Sequence, residues 1–305
     1  MVIKMQTYKI KSFTKITDTD LSGMIFRIIS YIIMSIAGIL ALFPFIHVFA
    51  KSVSSAASVT SGSIRFIPIG FQLETIQYII GETIYLRAFV NTVFVTFIGT
   101  VASMLTTILT AYPLSKPKLV GRRFVIILYI FSMVFYGGMI PAYMVVKTLG
   151  LIDSYFALIL PFVIIQFNML IIKNYFEGLP ESIEESAKLD GAGYFKILFY
   201  IICPISKPVI ATISMLYAVN YWNNYFHAML YTNSPSLKTL QLYLYDMIYS
   251  SEQVTEKIIS NPGTNICVGG VQSASVLLAM VPIILLYPAV QKYFVQGITI
   301  GSVKG

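Results

Sequence analysis

Six stretches of the chain contain no Asp, Glu, Lys or Arg: 28–50, 88–115, 124–146, 154–172, 208–237 and 258–291. Each has room for a helix of roughly 17–25 residues, the length that crosses a hydrocarbon layer about 30 Å thick. The runs are continuously apolar, as from Ile28 to Leu40, whereas barrel strands would alternate in segments of ~10 residues. A helix also satisfies its own backbone groups, which lipid cannot do for it. The pattern predicts an all-α integral membrane protein with six transmembrane helices. A cytoplasmic N-terminal segment, 1–24, precedes a membrane domain, 25–296, and a cytoplasmic tail, 297–305, follows it. The first apolar run is longer than the core of a secretory signal and lacks an obvious cleavage site, so it is read as a retained helix.

Composition agrees. With 57% hydrophobic and 11% charged residues and a mean hydropathy of +0.78, the chain cannot supply the charged skin of a soluble globule. Its partner solvent is the lipid bilayer. An even number of spans puts both termini on one side. That side, with segments 112–123 and 173–207, carries fifteen of the 21 Lys and Arg residues. The positive-inside bias assigns it to the cytoplasm. The net charge of +8 is then accounted for at membrane boundaries, and nucleic acid is not expected as a partner.

Catalytic chemistry is hard to find. Cys203 and Cys267 fall on opposite sides of this topology and cannot pair within the chain. His47 and His227 have no neighbours at metal-ligand spacing, so no metal site is expected. The absence of any Gly-Lys dipeptide excludes a Walker A loop. There is neither a Gly-x-Ser-x-Gly elbow nor a His-Glu-x-x-His helix.

Polar residues gather in three places. Segment 173–207 holds five of the chain's 13 acids, Glu177, Glu181, Glu184, Glu185 and Asp190. Pro180 with acids in the following turn starts a helix, Gly191 and Gly193 stop it, and Tyr194–Ile202 begins another. An ordinary solvated loop would have a similar composition. The fifth apolar window contains Tyr217, Asn220, Tyr221, Trp222, Asn223, Asn224, Tyr225 and Phe226, including the only Trp. Aromatic faces and amides suit sugars, so this segment is a candidate substrate path; an interfacial aromatic belt is the alternative. Tyr221 and Asn224 lie three apart and can share a helical face, with Trp222 about 100° away. Asn91, Gln166 and Asn168 are further candidates, and helix-to-helix hydrogen bonding would explain them as well. Gly137-Gly138 and Pro141 predict a broken third span. Lastly, the outer loops 51–87 and 227–272 are long enough to have structure of their own.

One pattern is more specific. Glu185-Ser186-Ala187, three residues, Gly191, nine residues, Ile201, one residue, then Cys203-Pro204 resembles the EAA signature of ABC-importer permeases, Glu-Ala-Ala, three, Gly, nine, Ile-x-Leu-Pro. Ser186 and Cys203 depart from it by small or apolar swaps. AYPLSK at 111–116, FYGGMIPAYMVVKTLGLIDS at 135–154 and the ending QKYFVQGITIGSVKG resemble the MalG-related carbohydrate branch, in particular its LplC/YtcP-like members. The resemblance implies a MetI-like permease fold whose 173–207 loop forms a coupling helix, with Glu184, Glu185, Ser186, Ala187, Asp190 and Gly191 docking on an ATPase subunit. It implies a second, non-identical permease, two ATPase subunits that carry ATP and Mg, and an extracytoplasmic substrate-binding protein docking on the outer loops. It also implies a bacterial plasma membrane location, no catalysis by this chain, and an oligosaccharide or complex glycan fragment as cargo. A peptide, polyol or other small solute is the alternative cargo. A scaffold or channel without ATP coupling is the alternative class.

Overall fold

The computed structural model describes residues 21–249 and 265–302. Most of the N-terminal segment, the end of the C-terminal tail, and Glu252 and Glu256 of the second outer loop lie outside the described residues. Three apolar windows each become one unbroken helix: α1 (Leu21–Ser52), α4 (Thr83–Leu114) and α15 (Val268–Ser302). Between α1 and α4 lie the short helices α2 (Ala56–Thr60) and α3 (Glu74–Gly81). The rest of the bundle is made of bent pairs. Helix α5 (Arg122–Val134) meets α6 (Met139–Thr148) at 115°; α7 (Tyr155–Ile159), extended by a 3-10 turn to Phe162, meets α8 (Gln166–Glu177) at 49°. The chain then forms α9 (Glu181–Leu189), α10 (Tyr194–Ile197), a π-helical turn at Leu198–Ile202 and α11 (Cys203–Ile205). Helix α12 (Lys207–Trp222) leaves this run at 87°. Helices α13 (Phe226–Tyr231) and α14 (Leu240–Tyr249) complete the path to α15. By length and composition, three helices can cross a membrane alone, and counting each bent pair as one span makes six.

The breaks have local causes. Gly138 sits at φ 94°, ψ 168°, a region open essentially only to glycine. Pro141 falls in the first turn of α6, where its missing N–H costs no hydrogen bond. The fifth window is interrupted as well: α12 has 16 residues, about 24 Å, and stops at Trp222.

The core is built around α4, which packs against α12 and α8. Gly99, Ser103, Thr107 and Ala111 recur every fourth residue along it, all buried. Small residues at that spacing let helix backbones approach closely. A Cβ on Gly99 would lie 2.7 Å from the Tyr221 ring, so glycine is required there. Below it, the Ser103 and Tyr221 hydroxyls are 2.9 Å apart and those of Thr107 and Tyr217 2.8 Å. The same two tyrosines bind the break of the α7–α8 pair. Ile165 N–H donates to Tyr217 Oη at 3.0 Å, and Tyr221 Oη donates to the Ile159 carbonyl at 3.3 Å. Backbone groups freed by the bend thus find partners without water. Helix α1 packs on α15 and is otherwise exposed along its apolar length.

At the end of the bundle opposite α9, the two long loops form one layer. Asn265 accepts from Ala56 N–H at 3.0 Å, and its carbonyl accepts from Gln72 Nε2 at 2.7 Å. Glu82 receives the Tyr78 and Tyr243 hydroxyls at 3.2 and 2.9 Å. Burial and this carboxylate push both phenols above their ordinary range. Asp153, at φ 61°, accepts from the backbone N–H groups of Asn233 and Ser234 at 2.9 and 2.8 Å and from the Ser234 hydroxyl. Those hydrogen bonds hold its carboxyl below the usual aspartate range.

Candidate functional site

Helix α9 is short, acidic at its start and amphipathic in an unusual sense. Pro180 precedes it, Glu181 and Glu184 occupy its first turn, and Lys188 its last, each complementing the helix dipole. Gly191, at φ 76°, ends it. Its N–H donates to the Lys188 carbonyl at 3.0 Å, and the next N–H, of Ala192, donates to Ala187 at 3.0 Å. This pair of bonds is a Schellman motif, which needs a left-handed residue at that position. A Cβ on Gly191 would meet nothing within 4 Å. Within this chain, glycine is therefore required for its backbone conformation, and no close neighbour demands it.

The helix divides its residues between two faces. Ala187 is buried in the same apolar cluster as Leu114, Phe176, Ile197 and Leu198, so it anchors α9 to the ends of α4 and α8 and to the start of α10. Glu184, 8% exposed, forms an ion pair with Lys116, whose ammonium also lies 4.6 Å from the centre of the Tyr112 ring. Glu177 pairs with Arg122 at 2.6 Å and with Lys173, and Arg122 Nε donates to the Leu114 carbonyl at 2.8 Å. Two of the five acids in the segment are thus consumed in holding it. On the opposite face Ser182, Glu185, Ser186 and Leu189 are exposed, at offsets 0, 3, 4 and 7, which is one helical stripe. Asp190 and Gly191 continue that exposed edge.

Of the six residues expected to dock, four are therefore presented outward, Glu185, Ser186, Asp190 and Gly191. Glu184 and Ala187 turn inward and brace the helix. Leu189 was missed. It is 90% exposed, an apolar side chain on a polar stripe, and its position seven residues after Ser182 was the available signal.

The residues expected along a substrate path are placed differently, most of them in contacts within the chain. Tyr221, 3% exposed, is occupied by Gly99, Ser103 and the Ile159 carbonyl. Trp222 is 7% exposed with its ring edge-on to Phe89 at 6.2 Å, so it packs within this chain. Buried Asn91 donates to the Ser236 and Lys238 carbonyls at 2.8 and 2.9 Å and accepts from the Tyr155 hydroxyl at 2.8 Å. Its polar groups are spent on fixing the turn before α14. Asn168 is buried within the bundle. Asn224 is half-buried, and its Oδ1 lies within bonding distance of the His227 N–H, 3.2 Å, and ring Nδ1, 2.8 Å; it holds the first turn of α13. Among the polar and aromatic residues of this run, Asn220, Asn223, Tyr225 and Phe226 are the exposed ones that could meet a solute. Asn223, Tyr225 and Phe226 lie past the end of α12 at Trp222, and Asn220 lies on an outward turn within it.

Helix α9 is thus braced on one face against the bundle and presents a small polar-apolar stripe on the other. Residues 85–300 match the family described as the binding-protein-dependent transport system inner membrane component. The chain belongs to that family. It is 41% identical over 286 residues to the polygalacturonan/rhamnogalacturonan transport system permease protein YtcP of Bacillus subtilis, covering 93% of this chain and 100% of that one. Protein LplC of the same organism is 39% identical over 284 residues, covering 93% and 96%. Among solved structures, a bacterial ABC transporter involved in the import of the acidic polysaccharide alginate superimposes with a TM-score of 0.85 at 34% identity, over 90% of this chain and 98% of that one. The expected family and all-helical permease fold are thus established, and the chain is a membrane component of a transport system.

Proposed function

We propose that this chain is one of two non-identical permeases of an ABC importer that takes up a glycan fragment delivered by an extracytoplasmic binding protein. The observation that carries the reading is the two-faced α9. Glu184 and Ala187 fix the helix to the ends of α4 and α8, and Glu185, Ser186 and Leu189 form the surface on which an ATPase subunit docks. A push on that surface reaches Ala187 and the Lys116–Glu184 pair, and through them the α4–α12 core. ATP and Mg belong to the two ATPase subunits, and their closure rocks the permeases between outward and inward openings. The chain itself does no chemistry. Fifteen of 21 basic residues on one side support α9 and both termini lying in the cytoplasm of a bacterial cell, with the Asn265, Gln72 and Glu82 layer facing the binding protein.

Uronate-containing oligosaccharides are the first cargo to test. YtcP is named for polygalacturonan and rhamnogalacturonan, and the structural neighbour imports an acidic polysaccharide. Asn220, Asn223 and Tyr225 are the proposed contacts on this chain. The decisive experiment pairs Glu185→Lys and Leu189→Ser, on the outer stripe, with uptake of labelled oligogalacturonide and retention of the ATPase during purification. Loss of ATPase retention or of uptake, with the permease pair still assembled, is expected from each. Normal uptake in both variants would reject the docking assignment. Uptake of a neutral sugar or peptide in place of the oligogalacturonide would replace the cargo and leave the coupling intact. A complex that purifies with no ATPase at all would point to a scaffold or channel.

A further inference from the structure

Between Lys116 and Arg123 the sequence packs four basic residues around Leu119 and Val120. The structure gives these cations different employment. Lys116 and Arg122 are committed to Glu184 and Glu177. Lys118 and Arg123 are exposed, and no carboxylate lies in bonding distance of either among the described residues. Between them Val120 is 96% exposed, an apolar side chain at the tip of a turn, two residues after Lys118 and three before Arg123.

Beside this turn lies a cavity of about 680 Å³. Its floor is apolar, made by Leu109 and Pro113 of α4, Leu119 of the turn, and Phe195 and Leu198 after the coupling helix; Lys118 stands at its edge. No acid lines it. Leu119 is shared with a second groove, which runs to Arg123 and along Ile126 and Ile127 of α5. Both grooves continue onto the apolar faces of spanning segments at the boundary where those segments end. A ligand for such a place must be hydrocarbon along one part and anionic at one end.

We propose that these paired grooves form a binding site for an anionic phospholipid of the cytoplasmic leaflet. Its acyl chains lie on Leu109, Leu119, Phe195 and Ile127, and its phosphate rests between Lys118 and Arg123. The site shares Lys116 and Leu198 with the elements that brace α9, so the lipid fills the space beside the coupling helix and steadies it. Choice of leaflet rests on the cytoplasmic placement of α9 proposed above. A zwitterionic lipid would find the same apolar floor but lose the net attraction to two unpaired cations.

The assembled importer, exchanged into nanodiscs of phosphatidylcholine with a minor fraction of phosphatidylglycerol of the same chain length, tests this without substrate or ATP. Enrichment of phosphatidylglycerol in the co-isolated lipid is expected for the wild type. Lys118→Gln with Arg123→Gln should lower that enrichment by about fivefold per charge, the equivalent of about 1 kcal/mol each, whereas Lys147→Gln in another exposed turn should not change it. A photoactivatable phosphatidylglycerol should crosslink the wild-type chain within 109–127 or 194–198, a readout that does not depend on the variants folding. Equal retention of the two lipids, or crosslinks confined to other helices, overturns the site. Impermeant labelling of a cysteine at position 118 in intact cells would instead contradict the leaflet assignment, and loss of uptake with lipid enrichment intact would concern the transport reading alone.

Discussion

Gly191 offers a direct separation of two reasons for a glycine. Its φ of 76° carries the Schellman bonds from Gly191 and Ala192 to the Lys188 and Ala187 carbonyls, and a Cβ there would touch nothing in this chain. An L-residue in the left-handed region costs roughly 1–2 kcal/mol. Replacing glycine also restricts the unfolded segment, which offsets about 0.4–1 kcal/mol of that cost. The net for Gly191→Ala is about 1 kcal/mol, and Gly191→Leu should match it, because no wall distinguishes the two side chains. Gly191→Asn should cost less, since asparagine visits this region more readily. Hydrogen exchange of the 187–193 amides in the detergent-solubilised permease reads the fraying directly. We expect roughly fivefold faster exchange at Gly191 and Ala192 positions for Ala and Leu, at 1.4 kcal/mol per tenfold, and a smaller acceleration for Asn. Unchanged exchange in the Ala variant, or a Leu variant far worse than Ala in the isolated permease, would refute the conformational argument. In the assembled importer, an uptake defect for Leu that exceeds the Ala defect would report that a partner surface lies against this turn.

Tyr217→Phe removes the acceptor for Ile165 N–H and the partner of the Thr107 hydroxyl; it should lower stability in mixed micelles by about 1–2 kcal/mol, and no change would mean that the α7–α8 break does not lean on α12. Gly99→Leu forces α4 and α12 apart at the Tyr221 ring and should cost 1–3 kcal/mol or more by the same measurement, so a neutral result would contradict the close approach. Asp153 has its carboxyl held low in the fold, so its contribution is present above the ordinary aspartate pKa of about 3.9 and is lost as the pH falls through the lower folded value. Limited proteolysis near the 149–154 turn should therefore separate wild type from Asp153→Asn at neutral pH and cease to separate them in strong acid; a difference that persists there would disprove the linkage. Finally, in a chain lacking Cys203 and Cys267, a cysteine at Gln72 should react with an impermeant reagent in intact cells and one at Lys118 should not; the reverse labelling would invert the topology.

The six charge-free windows marked where lipid-compatible helices lie, because lipid imposes a composition on every residue that it touches. The windows by themselves did not show the bends, although Gly137-Gly138 and Pro141 marked the one in the third span. A turn such as Gly138 announces itself only through its φ preference, and the end of α12 at Trp222 has no Gly or Pro to signal it; the apolar window simply runs on to 237. The small-residue repeat Gly99, Ser103, Thr107 and Ala111 was readable at its spacing of four and identifies the face of α4 that meets α12. Which tyrosine would fill that face depended on a helix more than a hundred residues away. Composition alone therefore could not decide the role of Tyr221: a buried aromatic at a helix crossing and an aromatic lining a channel have the same local composition.

Segment 173–207 shows where local pattern and tertiary partner part company. Glu184 and Glu185 are adjacent and chemically identical, and a helix turns about 100° between them. Ile183 and Ala187, four apart, fix which side of α9 is inward, so Glu185 falls on the free stripe with Ser186 and Leu189. Glu184 sits at the margin, and its fate is decided by Lys116, which arrives from the far end of α4 to meet it. Without that cation, burying a carboxylate to 8% exposure would carry an uncompensated desolvation cost; with it, the same carboxylate becomes the bracket that ties α9 to the central helix. The two acids of one motif therefore do opposite jobs. Glu185 is free to change with the partner it meets, whereas Glu184 must change together with Lys116, and a charge swap of the pair, Lys116→Glu with Glu184→Lys, should restore assembly that either change alone impairs.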